Sequence, residues 1–172
     1  MTRTTNARIA GITSFVYLAA GISGLALAGR PHAADLLSVF TSFSALVMGV
    51  TLYAITRDVG PELAMLGLVC RVIEGMPGEG LIYFAAGMLA FSWLLLRGRM
   101  IPAALAWLGL LASGLQVATL LLQRAGLNGG AADWASAATW LTWLPMLVFE
   151  VVLAIWFLTR GVRAPMSPAP AA

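Results

Sequence analysis

The chain has 172 residues, of which 60% are hydrophobic and 10% charged, and its formal charge is +3. A soluble domain carries roughly 25% charged residues, so this composition excludes a disordered chain and a nucleic-acid-binding domain and argues strongly against an ordinary water-soluble globule. Every basic residue is Arg, and the single Cys excludes an internal disulfide framework and a Cys-based zinc site.

A bilayer core ~30 Å thick needs about 20 apolar residues in a spanning helix. Six segments meet or approach that length, at 9–29, 36–56, 63–76, 81–96, 101–122 and 138–159. Turn chemistry separates them: Gly29, Arg30 and Pro31; Asp58, Gly60 and Pro61; Pro77, Gly78 and Gly80; Arg97, Gly98 and Arg99; and the Gly-rich stretch 126–130. Leu- and Ala-rich runs without alternation are helices rather than barrel strands, because backbone in lipid must satisfy its own hydrogen bonds. The expected fold is an all-α polytopic membrane bundle of six segments in one domain, residues 9–162. It lies between a short basic amino-terminal tail, 1–8, and a disordered Pro/Ala-rich tail, 163–172.

The first segment has a basic approach and a small-residue site at Ala26 and Ala28, as a signal peptide would. Its apolar run is longer than a signal core, and Ala20, Gly24 and Ala28 form a small-residue ridge suited to helix packing, so it is read as a retained helix. With six spans both termini share one side. That side collects Arg3, Arg8, Arg57, Arg97, Arg99, Arg160 and Arg163, against Arg30 and Arg124 opposite, which predicts cytoplasmic termini. Tyr53, Trp93 and Trp156 fall at the predicted inner interface, and Trp134, Trp140 and Trp143 at the outer one.

Ionisable groups inside a span are expensive and mark candidate sites. Arg71 and Glu74, three apart, share a helical face and can pair. Arg71 lies ~13 Å and Glu150 ~15 Å from the same inner surface, so an Arg71–Glu150 contact is geometrically possible. The third and fourth segments are short. They form either squat spans or a re-entrant hairpin whose turn at 77–80 stops inside the outer leaflet and needs a cavity around it. In the hairpin, Glu79 sits at the cavity floor with Glu74, Arg71 and Glu150 further in. The candidate cluster is therefore Arg71, Glu74, Glu79 and Glu150. One Arg against three carboxylates leaves excess negative charge, which suits a proton or a bound cation. The same cluster also serves as a purely structural ion network that fixes helix register.

Other features read as structural. Cys70 is a small buried hydrophobe. His32 with Asp35 supplies too few ligands for a metal. Ser38, Thr41, Ser42, Ser44 and Thr51 bond to their own helix or to neighbours, and Gln116 joins helices. The Met residues fill gaps. No nucleotide, metalloprotease or Ser/His/Asp set is present, so no catalytic residue, metal or cofactor is expected.

Several motifs converge on one family. Arg8, Ile9, Ala10 and Gly11 open the first helix, and Arg71, Val72, Ile73 and Glu74 sit in the middle. Arg97, Gly98, Arg99, Met100, Ile101 and Pro102 follow a Leu-rich span, and EVVLAIWFLTRG at 150–161 closes the last. The chain thereby resembles the bacterial membrane family described as domain of unknown function 4386 (DUF4386). The resemblance runs from about Arg8 to Val162 and implies a multi-pass protein of the bacterial cytoplasmic membrane without an assigned activity. It sets Arg71, Glu74, Pro102, Glu150 and Trp156 on family-typical positions. Family members usually run longer after the first helix and after the R-x-x-E.

Three functional readings follow. The first is a small transporter or ligand-binding membrane protein, with the lipid bilayer and a small molecule or proton as partners. The second is a non-catalytic assembly or regulatory partner, homo-oligomers included, in which lipid-exposed ridges at Ala20/Gly24/Ala28 or Gly109/Ser113 carry association. An enzyme acting on lipid or quinone is the third and least supported.

Overall fold

The computed structural model describes residues 2–27, 29–76, 80–127 and 137–164. Among the described residues there are six helices and no strand: α1 (Arg3–Ala26), α2 (Pro31–Thr56), α3 (Pro61–Glu74), α4 (Gly80–Arg97), α5 (Ala103–Arg124) and α6 (Ala137–Thr159). Pro31 and Pro61 start α2 and α3, where a proline's missing N–H has no helical partner to lose. Left-handed glycines end α5 and α6. Gly126 (φ 72°) lets the Leu127 N–H return to the Leu122 carbonyl, and Gly161 (φ 68°) bonds back to Trp156. The expected segments and the observed helices coincide, with two large shifts at helix starts. α2 begins at Pro31 rather than Leu36, where the proline suits a first turn. α1 begins at Arg3 rather than Ile9, because Asn6, Ala7 and Ala10 are buried against the bundle and so extend the helix.

Each helix packs on its neighbours in sequence, and α6 returns to α1, so the six close into a ring; α2 also touches α4 beside the short α3. One end, the base, carries the starts of α1, α3 and α5 and the ends of α2, α4 and α6. It is tightly shut. Ile55, Leu94, Leu95, Met100 and Ile101 are buried there, the Arg163 N–H donates to the Met100 carbonyl, and Arg3 pairs with Asp58.

The helices differ in reach toward the opposite end, the top. Five are long and apolar enough to cross a membrane; α3, with 14 residues and ~21 Å, is the exception. Gly75, just past the end of α3, packs against Ser42, which lies ~16 Å along α2 from Pro31. The α3 helix therefore stops well short of the rim formed by α1 and α2. Residues 77–79, including Glu79, lie outside the described residues, as do Trp134 and 165–172.

Large apolar side chains cover the outside, among them Phe40, Phe43, Leu111 and Leu141. Such a surface suits lipid rather than water. Of the α2 hydroxyls expected to bond locally, Ser38, Thr41 and Thr51 donate to carbonyls of their own helix, and Thr56 does the same. Gln116 Nε2 donates to the Thr142 carbonyl and ties α5 to α6.

Glycines set the closest helix approaches. A Cβ on Gly109 would fall 2.4 Å from the Phe149 ring and 2.5 Å from Ser92 Oγ, whereas one on Gly114 meets nothing within 4 Å. Overpacking a buried contact costs about 1–3 kcal/mol. Gly109→Ala is expected to lower thermal stability in detergent by that amount, with Gly114→Ala neutral or slightly stabilising. Equal melting temperatures for the two variants would contradict the packing described.

Candidate functional site

Arg71 is the largest completely buried side chain among the described residues, with 0% exposure. Its stem runs through a gap that only glycines leave. A Cβ on Gly49 of α2 would sit 2.8 Å from Arg71 Cβ, and one on Gly87 of α4 3.1 Å from Cys70 Cβ and 3.5 Å from Arg71 Cδ. The guanidinium is thus directed into the ring. There Nη1 donates to Glu74 Oε2 at 2.6 Å, the i, i+3 pairing expected from sequence. The Glu74 side chain is 7% exposed. Its other oxygen, Oε1, accepts the Tyr17 hydroxyl of α1 at 2.6 Å. Both carboxylate oxygens are therefore held by charge-assisted hydrogen bonds, the stronger kind.

Aromatic rings complete the arrangement. The Arg71 guanidinium carbon lies 5.2 Å from the centroids of both Tyr17 and Phe84, within reach of cation–π attraction. Tyr17 stacks on Phe84 (6.0 Å, 12°), and Phe84 on Trp143 (6.5 Å, 12°). This column links α1, α4 and α6, although neither α1 and α4 nor α4 and α6 touch through their backbones among the described residues. It crosses the inside of the ring.

The Arg71–Glu150 contact that their matching depths allow is not a direct ion pair, although the two charges still act on one another. Among the described residues no Arg71–Glu150 ion pair within 4 Å occurs, and Glu150 Oε1, in a residue 5% exposed, has no hydrogen-bond partner. The reason is local. Gly49 and Gly87 pin the Arg71 stem, and Glu74 one turn away takes its accessible nitrogen, leaving Nε and Nη2 without a protein acceptor.

Glu150 instead lines a cavity of about 290 Å³ inside the ring, together with Tyr17, Thr41, Phe84, Trp140 and Trp143; Arg71 does not line it. A second, more open cavity of about 530 Å³ lies between α1, α2 and the end of α3, bordered by Gly24, Ser38, Ser42 and Glu74. Gly21 and Thr41 border both. The cluster is thus divided: Arg71 and Glu74 are locked together, and Glu150 faces open space.

Tyr17, Phe84 and Trp143 were not singled out from the sequence as site residues. Tyr17 did carry a signal, being a phenol in the middle of an apolar span rather than at an interface. Trp143, expected in the outer aromatic belt, is turned inward against Phe84.

The fold and its cavities define the class: a membrane protein of transmembrane helices, arranged as a ring around a partly polar interior. Residues 78–161 match the family model described as Domain of unknown function (DUF4386). The match takes in α4 to α6, with Phe84, Trp143, Glu150 and the Arg97–Pro102 motif, and ends short of Arg71 and Glu74. No curated protein and no solved structure matches the chain.

Removing one partner of a buried ion pair costs about 3–5 kcal/mol, mostly through the charge left behind. Arg71→Met is expected to lose that much stability in a detergent unfolding titration, and Arg71→Met with Glu74→Gln to recover more than half. A double variant no more stable than the single one would show that the pair is not energetically closed.

Proposed function

We propose that the protein binds a small molecule within the membrane and acts as a small transporter, with Glu150 in the binding cavity and the Arg71–Glu74–Tyr17 group as its supporting wall. One observation carries this reading: a cavity of about 290 Å³ in the interior of the ring, lined by aromatic side chains and by Glu150, a buried carboxylate whose Oε1 has no hydrogen-bond partner. Sites for small ligands are mostly apolar pockets with a few polar groups placed within them, and short segments with Gly/Pro breaks accompany transporter sites. The competing reading, an assembly partner with a purely structural cluster, has less support. Its small-residue ridges face other helices: Gly109 and Ser113 pack on Phe149, Ser92 and Met146, and Ala20 and Gly24 lie toward α2 or the second cavity.

Gly21 gives the test. It borders both cavities, and a side chain added there meets nothing within 4 Å, so Gly21→Trp fills the space without disturbing the packing. A ligand at 100 times its Kd stabilises a folded protein by about 2.7 kcal/mol. In a thermal-shift screen of small organic compounds, some are expected to raise the melting temperature of the wild type but not of Gly21→Trp. A screen in which the two proteins respond alike overturns the reading.

The same reading sets the chain in the bacterial cytoplasmic membrane, crossing it repeatedly, with the base and both termini in the cytoplasm. Arg3, Arg8, Arg57, Arg97, Arg99, Arg160 and Arg163 belong to the base and Arg30 and Arg124 to the top, the asymmetry that insertion favours. Alkaline phosphatase fused at either terminus is expected to be inactive in cells. An active carboxy-terminal fusion reverses the orientation.

A further inference from the structure

We infer that the ring cavity selects a lipophilic organic ammonium cation of about single-ring size, held by the Glu150 carboxylate and the aromatic walls of Tyr17, Phe84, Trp140 and Trp143. This rests on the cavity being a ligand site, as proposed above, and adds the chemical class of the ligand.

The sign of the charge follows from what faces the space. Among the described residues Glu150 is the one charged residue in the lining, and its Oε1 is buried and without a hydrogen-bond partner. The nearby cation, Arg71, stands behind the wall, is wholly enclosed, and has Nη1 engaged by Glu74. An anion would meet Glu150 with no positive group in the described lining. A cation meets a carboxylate with no ion-pair partner within 4 Å among the described residues, because Arg71 is engaged by Glu74, and a buried charge of that kind is costly until it is compensated.

The walls decide between an organic cation and a metal ion. Magnesium and calcium take six or more oxygen ligands. Among the described residues the other side-chain oxygens in the lining are the Tyr17 hydroxyl, which donates to Glu74, and the Thr41 hydroxyl, which donates to the Leu37 carbonyl. Four aromatic residues stand in the lining beside Leu, Ile and Met side chains. Rings attract substituted ammonium groups through their quadrupole, the mode used for quaternary ammonium ligands. Tyr17 and Phe84 already hold the Arg71 guanidinium carbon 5.2 Å from their centroids, so this environment accommodates a delocalised cation. The volume sits at the lower edge of the ~300–1,000 Å³ usual for ligand pockets, and one carboxylate balances one positive charge.

The test compares benzyltrimethylammonium with its uncharged isostere neopentylbenzene, using the full-length protein in nanodiscs and empty nanodiscs to correct for partition into lipid. The wild type is expected to bind the cation saturably and at least tenfold more tightly than the isostere. Glu150→Gln is expected to lose that preference, Glu150→Asp to keep it, and Gly21→Trp to bind neither compound. If both compounds bind alike, and Glu150→Gln leaves the ratio unchanged, the cation inference is overturned while the ligand cavity stands. If neither binds the wild type, this inference falls; the cavity reading falls with it only when the broader compound screen also finds no difference between wild type and Gly21→Trp. Should Glu150→Gln fail to fold, Glu150→Asp and the wild-type ratio of the two compounds still decide.

Discussion

The ion pair between Arg71 and Glu74, closed by the Tyr17 hydroxyl, is the interaction around which the interior is organised. A guanidinium without exposure to solvent requires a counter-charge within reach, and Glu74 one turn along α3 provides it. Both oxygens of that carboxylate are occupied, one from α3 and one from α1. The pair thereby connects two helices on different sides of the ring. Tyr17, fixed by this bond, then presents its ring to Phe84, and Phe84 to Trp143. Several kcal/mol of desolvation per buried ion make such a pair a weak source of net stability. Its contribution is specificity, since the Tyr17 bond to Glu74 ties α1 to α3 in this placement.

That arrangement depends on residues with no side chain. Gly49 and Gly87 leave the channel through which the Arg71 stem passes, and Gly67 admits the Phe91 ring at 2.8 Å from where its own Cβ would stand. In a membrane the hydrophobic effect does little to press helices together, so close packing through small residues takes that role. Glycine content that would weaken helices in water here brings α3 into contact with α2 and α4 while enclosing a charged side chain.

The outline of this protein was legible in the sequence because it rests on one-dimensional patterns. Apolar runs of about 20 residues, with Gly and Pro between them, gave the six segments, and the spacing of Arg71 and Glu74 gave their pairing. The shortness of α3 was visible between Pro61 and Pro77. What was not legible depends on which helices face one another. Depth alone matched Glu150 with Arg71, yet depth carries no rotational information, and the rotation of α6 turns Glu150 toward the cavity instead. The inward turn of Trp143 was hidden for the same reason. The start of α1 was misplaced because Asn6 reads as a polar tail residue until it is found buried at the base.

Pro145 has a mechanical consequence. It lies inside α6, between Trp140 and Trp143 on one side and Glu150 on the other. Proline offers no amide hydrogen and crowds the carbonyl four residues earlier, so this helix is weakest along its length in the middle of the cavity wall. Flexure there changes the gap between the indoles and the carboxylate while the sealed floor beneath stays still. The compliance of the bundle is thus concentrated beside the chamber rather than spread through its scaffold.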